Sequence, residues 1–290
     1  MVEFSITYNG ITINKDNLIT NGIAIDRFGG TDGLEIRTSE EPLTGGDGGN
    51  IWNSLYNMRT IFLEGWLYSY DGTLDGYWAV KKDLVDAFKI TSNTELLMTK
   101  WGETTNTKAI DANVIGAPMI IEEPGEITHA RWRVELKCEE AYFKDASDTV
   151  YTIYLVDSDK IGGPVQTTVP MALGGGGATN SQVINNTGDV DWYLDNIKFN
   201  GTVTIPRLTN TTNGQAIYLD DNLGAAEYVN ISKSQSGFSA LDNTGANVLA
   251  DVVGDYPVIE QGNNGLVFSA STYSATASCV LTWRNRYLSL

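Results

Sequence analysis

The first residues that could do chemistry are His129 and Cys138, because an imidazole beside a thiol can activate the sulfur as a nucleophile. They stand nine residues apart in the alternating run His-Ala-Arg-Trp-Arg-Val-Glu-Leu-Lys-Cys, which predicts a half-buried antiparallel strand. A strand rises about 3.3 Å per residue, so the two side chains cannot meet on it. The sequence holds one histidine, so a histidine-rich metal site cannot be assembled, and a catalytic triad cannot be made from that histidine alone. We expect Cys138 to be a small core residue.

Carboxylates are the other candidates for catalysis, since glycoside hydrolysis needs two acids at a set separation. Adjacent acidic pairs include Glu122-Glu123, Glu139-Glu140 and Asp220-Asp221. Neighbours along a strand point to opposite faces, which disfavours a joint role. Two further acid pairs offer ligands for calcium but are expected to be solvated loop acids: Asp157 with Asp159, and Asp189 with Asp191. We therefore predict a protein without enzymatic activity, cofactor or metal.

The charge of the chain limits its partners. Its 290 residues include 36 acidic and 19 basic side chains, a formal net charge of −17. Such a surface repels phosphate backbones, so specific nucleic-acid binding is not expected. Cys138 and Cys279 fall in different predicted domains, which argues against a disulfide and suits synthesis in a reducing cytoplasm. The N-terminal residues lack the features of a secretory signal.

The patterns predict a mainly β protein of two domains. In the first half, two alternating runs flank Asn9-Gly10 and predict a hairpin with a type I′ turn. One helix is expected at about 75–89, with Asp75 as its N-cap. Its apolar side should carry Tyr77, Trp78, Leu84, Val85 and Phe88. Pro118 and Pro124 punctuate a predicted turn region.

Residues at about 38–60 form a polar, glycine-containing stretch between two alternating runs. A long loop inside a compact domain is usually functional or disordered. An extended arm also carries backbone groups that a neighbouring subunit can pair. We interpret this stretch as an assembly arm; the alternative is a surface loop without such a role.

The second half is a succession of short runs separated by turn residues, the pattern of a β-sandwich. Residues 1–145 carry 23 acidic and 13 basic side chains against 13 and 6 in residues 146–290, so a boundary is placed near 145. We predict an N-terminal domain at 1–145, a linker at 146–151 and a C-terminal domain at 152–290. An alternative function for the sandwich is saccharide binding, because exposed aromatic rings stack on sugars. The candidate aromatic residues are Trp192, Tyr193, Tyr218, Tyr228 and Tyr256.

Several segments follow one another in an order typical of a known family. The run Arg59-Thr-Ile-Phe-Leu-Glu-Gly-Trp66 follows the arm, and Arg133 to Phe143 closes the first half with Glu140-Ala141 where Asp-Pro is usual. Val183 to Asp189, Gly201 to Asn210 and Thr282 to Tyr287 mark the second half. In this order the sequence resembles the distal tail (Dit) proteins of siphophages.

The resemblance implies a fold and a role. The N-terminal domain would be a β-sandwich or barrel with one helix and an arm, and the C-terminal domain a galectin-like, jelly-roll type sandwich. Six copies would form a ring at the distal end of the virion tail, joining the major tail tube protein to a tail-associated tip protein. The ring would anchor receptor-binding proteins, and DNA would only pass through its bore.

The resemblance and the arm together give candidates for contact. Host cell-wall saccharide is the alternative partner, in which case the protein would be an adhesin module of the tail. The candidate ring contacts are Arg37, Glu40, Asp47, Trp52, Tyr56 and Arg59.

Overall fold

The computed structural model of the protein divides into two units. It describes residues 4–14, 21–42, 49–90, 94–99, 106–123, 125, 128–155, 180–234, 237–274 and 276–290. The first unit comprises Met1–Ala146 together with Tyr287–Leu290, and the second comprises Ser147–Arg286. The sequence-based boundaries assigned everything after 152 to the second domain, whereas the last four residues pack in the first unit. Tyr287 and Leu290 lie against its hydrophobic core.

The first unit contains eleven described strands and one helix before the chain enters the second unit. They are β1 (Ser5–Tyr8), β2 (Ile11–Asn14), β3 (Ile23–Gly29), β4 (Ile36–Pro42), β5 (Gly49–Tyr56), β6 (Arg59–Tyr68), α1 (Leu74–Ala87), β7 (Thr94–Thr99), β8 (Thr107–Val114), β9 (Met119–Glu122), β10 (His129–Cys138) and β11 (Phe143–Asp145).

The hairpin at the start of this unit follows the sequence prediction. β1 pairs with β2 from Ser5 opposite Asn14 to Tyr8 opposite Ile11. Asn9 and Gly10 have φ of 46° and 83°, which is the left-handed conformation required at both central positions of a type I′ turn. Local turn chemistry therefore suffices to define this hairpin.

Seven strands of the first unit close into a barrel. Neighbouring strands follow the order β8-β7-β1-β2-β3-β6-β10, and an additional pairing joins β10 back to β8. Closure leaves the seven strands no free edge along that cycle. β9 and β11 lie outside the cycle, and the two-residue strand β27 (Arg286–Tyr287) continues the sheet from β11.

The core of the barrel is formed by the inward face of each strand. β10 alternates buried and exposed positions throughout, with Trp132, Val134, Leu136 and Cys138 buried, as its sequence pattern predicts. Gly65 on β6 makes room for Trp132, because a Cβ there would lie 2.9 Å from Trp132 Nε1 and 1.9 Å from the Ala24 carbonyl oxygen. The indole in turn donates to that same oxygen, at 3.2 Å.

Helix α1 covers part of this core but differs from the prediction at its start and on its face. Thr73, not Asp75, is the N-cap: its Oγ1 accepts from the Gly76 N–H at 3.0 Å. The inward stripe includes Tyr77, Leu84 and Phe88 as predicted, whereas Trp78 and Val85 are 51% and 40% exposed. Successive helical residues point about 100° apart, so Tyr77 and Trp78 cannot share the buried stripe. The described residues contain no helix with the length and hydropathy to cross a membrane.

Within its described residues the second unit is all-β apart from a single-turn 3₁₀ helix at Leu249–Asp251. Its strands are β12 (Thr149–Tyr154), β13 (Ser181–Asn186), β14 (Trp192–Tyr193), β15 (Asn196–Asn200), β16 (Val203–Thr204), β17 (Arg207–Asn210), β18 (Ala216–Leu219), β19 (Asn222–Leu223), β20 (Tyr228–Ser234), β21 (Gly237–Asp242), β22 (Val252–Gly254), β23 (Val258–Ile259), β24 (Gly262–Ser269), β25 (Thr272–Tyr273) and β26 (Ser278–Trp283).

Two five-stranded antiparallel sheets dominate this unit. Their orders are β12-β26-β15-β20-β21 and β13-β24-β17-β18-β22. Phe199 of the first sheet stacks on Phe268 of the second at 5.8 Å between ring centres. Cys279 and Trp283 of β26 belong to the same core cluster. The mainly β fold class predicted from the sequence is confirmed for both units.

Candidate assembly surfaces

The arm predicted at about 38–60 contains a β-hairpin, here called the arm hairpin (residues 36–56, β4 and β5). Its register runs from Ile36 opposite Tyr56 to Pro42 opposite Gly49, with a bulge between Ser39 and Glu40. The two strands form a sheet of their own, and neither pairs with another strand in the part of the chain that the structure describes. An isolated two-stranded hairpin is marginally stable in water, so a partner surface would stabilise it.

The base of the arm hairpin is fixed to the first unit. The Asn57 N–H donates to the Glu35 carbonyl oxygen at 2.8 Å, and the Asn57 side-chain amide donates to Glu35 Oε2 at 3.1 Å. The Tyr56 ring meets the Tyr142 ring edge-on, with centres 5.9 Å apart. The Asn57–Glu35 bonds thus close the base of the hairpin, and the Tyr56–Tyr142 contact joins it to the rest of the first unit.

Apolar side chains are exposed around that base. Ile36, Leu55 and Met58 are 56%, 48% and 46% exposed. Ile36 lies opposite Tyr56 and Leu55 lies opposite Arg37, so the hairpin exposes an apolar side chain on each of its two faces near the base. The sequence pattern of alternating residues did not single out these three residues, because it indicates two faces of a strand without showing which face is covered.

The residues predicted to make ring contacts differ in their exposure and in whether the structure describes them. Arg37 and Tyr56 are exposed on the arm hairpin. Glu40 and Trp52 lie in its strands, but their side chains are outside the described part of the structure. Asp47 lies outside the described residues altogether.

Arg59 differs from this expectation, because its side chain is buried within its own unit. Only 3% of the residue is exposed, and it occupies an inward-facing position of β6. Nε donates to the Ala141 carbonyl oxygen at 2.8 Å, Nη1 to that of Gly30 at 2.6 Å, and Nη2 to that of Leu288 at 2.6 Å. Burial lowers the pKa of the guanidinium. Arg59 therefore holds three chain segments of its own unit together.

Of the aromatic residues predicted for saccharide contact, Trp192, Tyr193 and Tyr256 contact one another in series, and cations cover several of the five rings. The Arg286 guanidinium lies 5.6 Å from the Trp192 ring centre, Lys233 Nζ lies 5.5 Å from that of Tyr193, and Lys198 Nζ lies 3.7 Å from that of Tyr228. Such cation–π contacts occupy the faces that a sugar would stack on.

Two of the five aromatic candidates have other surroundings. Tyr256 is buried with 6% exposure and stacks on Phe238 at 4.8 Å, and burial raises the pKa of its phenol. Tyr218 is half-buried and lines a cavity of about 320 Å³ together with Arg207. The five residues do not form a single aromatic platform.

The residues first considered for catalysis have structural contacts. Burial raises the pKa of the Cys138 thiol to about 12, so it stays protonated near neutrality. His129 lies beside Trp66, with ring centres 6.3 Å apart. Glu122 accepts from Lys81 Nζ at 2.6 Å and from the Tyr77 hydroxyl at 2.8 Å, and these bonds lower its pKa. Among the described residues, no group of three or more His, Cys, Asp or Glu side chains could hold a metal ion.

A short strand was missed in the region that the prolines predicted to be a turn. β9 pairs with β10 from Met119 opposite Arg133 to Glu122 opposite Ala130. The apolar run Met119-Ile-Ile121 was the available signal for it. Met119 and Ile121 are 61% and 53% exposed, so β9 adds a second apolar surface to the first unit.

The second unit is similar to a known protein family. Residues 187–287 match the family model described as the siphovirus-type tail component, C-terminal domain. No curated protein matches the chain.

Solved structures extend the likeness to the whole fold. The crystal structure of the SPP1 Dit protein, described as a paradigm of the hub adsorption apparatus in phages that infect Gram-positive bacteria, aligns over 98% of this chain and 99% of that chain, with a TM-score of 0.67 and 10% identity. A chain of the phage P2 baseplate in its activated conformation with Ca aligns over 97% of this chain and 98% of its own, at a TM-score of 0.49 and 10% identity. The corresponding structure with Sr aligns over 97% of this chain and 97% of its own, at a TM-score of 0.47 and 10% identity.

The family model and the SPP1 Dit fold confirm the resemblance that the sequence motifs indicated. The family match covers most of the second unit, and the fold likeness covers both units. Residues 187–287 match the family model of the siphovirus-type tail component, C-terminal domain, and the chain as a whole has the fold of the SPP1 Dit protein.

Proposed function

We propose that this protein is the distal tail hub of a siphophage virion, a non-enzymatic subunit that assembles into a hexameric ring. The observation that carries the proposal is the arm hairpin, which leaves the barrel with its strand edges unpaired within the described residues and with apolar side chains exposed at its base. The likeness of the second unit to siphophage tail components supports the location in the virion tail.

In this role the first unit forms the ring, and the second unit is a galectin-like sandwich. The ring joins the major tail tube protein to a tail-associated tip protein and anchors receptor-binding proteins. The formal net charge of −17 is compatible with passage of DNA without adhesion.

The oligomeric state of the purified protein tests this proposal. Six copies of a 31.6 kDa chain amount to about 190 kDa, which light scattering distinguishes readily from one copy. Negative-stain electron microscopy should show closed six-fold rings. A particle of single-chain mass at high protein concentration would contradict the proposal.

A saccharide-binding adhesin module is the second candidate function, and one observation favours it. Tyr218 and Arg207 line the same cavity, so an aromatic ring and a guanidinium converge there. Titration of the protein with host cell-wall saccharide tests this role: Tyr218→Ala should abolish binding, whereas Tyr273→Ala, at an exposed tyrosine elsewhere on the second unit, should retain it. Absence of binding by the unmodified protein would reject it.

A further inference from the structure

Three side chains lie in one row on the outward face of a sheet in the second unit. Arg207 of β17 is opposite Tyr218 of β18 on one side and opposite Ser269 of β24 on the other. Residues directly opposite one another in antiparallel strands point to the same face of the sheet. Their chain neighbours Leu208 and Phe268 are fully buried, so the row faces away from the core. The pairing of three strands thus brings a guanidinium, a phenol and a hydroxyl together.

This row forms one wall of the cavity of about 320 Å³. Ile205, Ala270 and Ser271 complete the lining. The volume lies near the lower end of the range of ligand pockets, about 300 to 1,000 Å³. The cavity therefore suits a small ligand or the end of a longer one.

The polar groups of the cavity are available to a ligand. In the part of the chain that the structure describes, the side chains of its four polar lining residues take part in no hydrogen bond or ion pair. The other two arginines of the second unit differ in this respect, because Arg284 binds the Asp148 carboxylate and Arg286 that of Asp195. Arg207 is thus an arginine of this unit without a carboxylate partner among the described residues.

The backbone at the rim of the cavity is strained. Ile205 has a φ of 49°, in the left-handed region, where a β-branched residue is an outlier. Its N–H donates to the Asp221 carbonyl oxygen at 3.1 Å, which holds the backbone in this conformation. Strain of this kind clusters at ligand-binding sites.

We infer that this cavity binds a saccharide that carries an anionic group, a phosphate or a carboxylate. The inference rests on the second candidate function above and names the class of its ligand. The Tyr218 ring supplies an apolar face for a sugar ring, and the Ser269 and Ser271 hydroxyls exchange hydrogen bonds with sugar hydroxyls. The guanidinium of Arg207 offers two parallel N–H donors to the two oxygens of the anionic group.

The charge around the cavity favours an anionic ligand over a neutral one. A chain with a formal net charge of −17 repels anions overall, so their binding requires a local cation. None of the described lining residues is acidic. The nearby Asp221 carboxylate accepts from the Asn222 N–H at 2.7 Å. A neutral sugar would need only hydroxyl and amide groups, whereas the guanidinium of Arg207 adds a charge that an anion can pair with.

Ligand-observed saturation-transfer NMR on the full-length chain tests the class of ligand. The probes are glucose 6-phosphate, glucuronate, glucose and inorganic phosphate. We expect one of the two anionic sugars to bind at least about ten times more tightly than glucose and than inorganic phosphate, because a charge-assisted pair adds to the sugar contacts. The comparison of the two anionic sugars identifies whether phosphate or carboxylate is the preferred group.

Three variants assign the binding to these side chains, and circular dichroism checks that each is folded. Arg207→Gln should lower the affinity for the preferred anionic sugar about tenfold, to the level of glucose, and leave the affinity for glucose within about twofold. Tyr218→Ala should abolish binding of every sugar. The matched control is Lys198→Gln, which removes one positive charge from the other five-stranded sheet of this unit and should bind like the unmodified protein.

The outcomes separate the inference from the function on which it rests. Equal affinities for glucose and the anionic sugars, or equal losses in Arg207→Gln and Lys198→Gln, would overturn the inference and leave saccharide binding in place. Inorganic phosphate that binds as tightly as glucose 6-phosphate would also overturn it, because the site would then recognise an anion without a sugar. Binding of host cell-wall saccharide without binding of any probe would reject the inference alone, and absence of all binding would reject both.

Discussion

Arg59 Nη2 donates a hydrogen bond to the carbonyl oxygen of Leu288 at 2.6 Å, although 229 positions separate the two residues in the chain. The same guanidinium contacts the carbonyl groups of Gly30 and Ala141. A planar fork with five N–H donors suits this task, whereas an ammonium group would satisfy fewer of these carbonyls. One buried side chain on β6 thus fixes the returning C-terminal residues against the first unit.

Replacement of this arginine should destabilise the protein. We expect Arg59→Ala to lower the free energy of unfolding by about 3 kcal/mol, since three carbonyl groups lose their donor. Urea denaturation measures the loss, and hydrogen exchange should become faster in residues 287–290. Arg27→Ala, at an exposed arginine, should change stability by no more than about 0.5 kcal/mol. Equal effects of the two substitutions would contradict the assigned role of Arg59.

A second test concerns the close approach of β3 to β6 at Gly65. Gly65→Ala places a methyl group 1.9 Å from the Ala24 carbonyl oxygen, so the strands must separate. We expect a loss of more than about 3 kcal/mol in the free energy of unfolding. Gly116→Ala is the control, because nothing lies within 4 Å of a Cβ at that position. Thermal and urea unfolding of both variants measure the difference.

A third test uses the carboxylate that joins α1 to β9. The hydrogen bond from Lys81, followed by that from Tyr77, lowers the pKa of Glu122 below its ordinary value of 4.5. The resulting stabilisation is full above that value and is lost as the pH falls through the lowered pKa. Glu122→Gln should therefore cost less than about 1 kcal/mol at pH 7, because the pair is partly exposed.

The pH dependence separates this electrostatic effect from a packing defect. The difference between wild type and Glu122→Gln should shrink toward zero on acidification to pH 3 and should decrease with added salt at pH 7. Urea titrations across the pH range measure both trends. A difference that is constant from pH 7 to pH 3 would show that the charge of Glu122 is not the cause.

A fourth test concerns the buried thiols. Burial raises the pKa of both Cys138 and Cys279, so neither forms the reactive thiolate at pH 8 in the folded state. Labelling with a thiol reagent should be at least about 100-fold slower in the native protein than in urea. A cysteine introduced at the exposed Val183 should react at the rate of a free thiol. Rapid labelling of native wild-type protein would contradict the burial of both thiols.

A fifth test removes the arm hairpin. Thr38 and Ser54 face each other across β4 and β5, so an Asn-Gly turn can replace residues 39–53 between them. The shortened chain should keep its circular dichroism and unfolding transition but scatter light as a single chain rather than a ring. A hexamer from this variant would show that the arm hairpin is not required for assembly.

The sequence by itself determined features that depend on neighbouring residues. Asn9-Gly10 defined the first hairpin, because its two positive φ values are local properties of those residues. The alternation from His129 to Cys138 determined which side chains of β10 face inward. The ordered motifs of the second half indicated the tail-component family, and a family model of residues 187–287 confirms it.

Tertiary structure decided the features that depend on distant partners. The pattern around Arg59 is equally compatible with an inward or an outward guanidinium, and only the approach of Gly30, Ala141 and Leu288 makes the inward position favourable. The exposure of Ile121 likewise depends on the register of β9, which places it opposite Arg131 on the outward face of β10. Period-two patterns divide a strand into two faces, but long-range pairing selects which face and which edge are covered, because burial and backbone hydrogen bonding require partners from elsewhere in the chain.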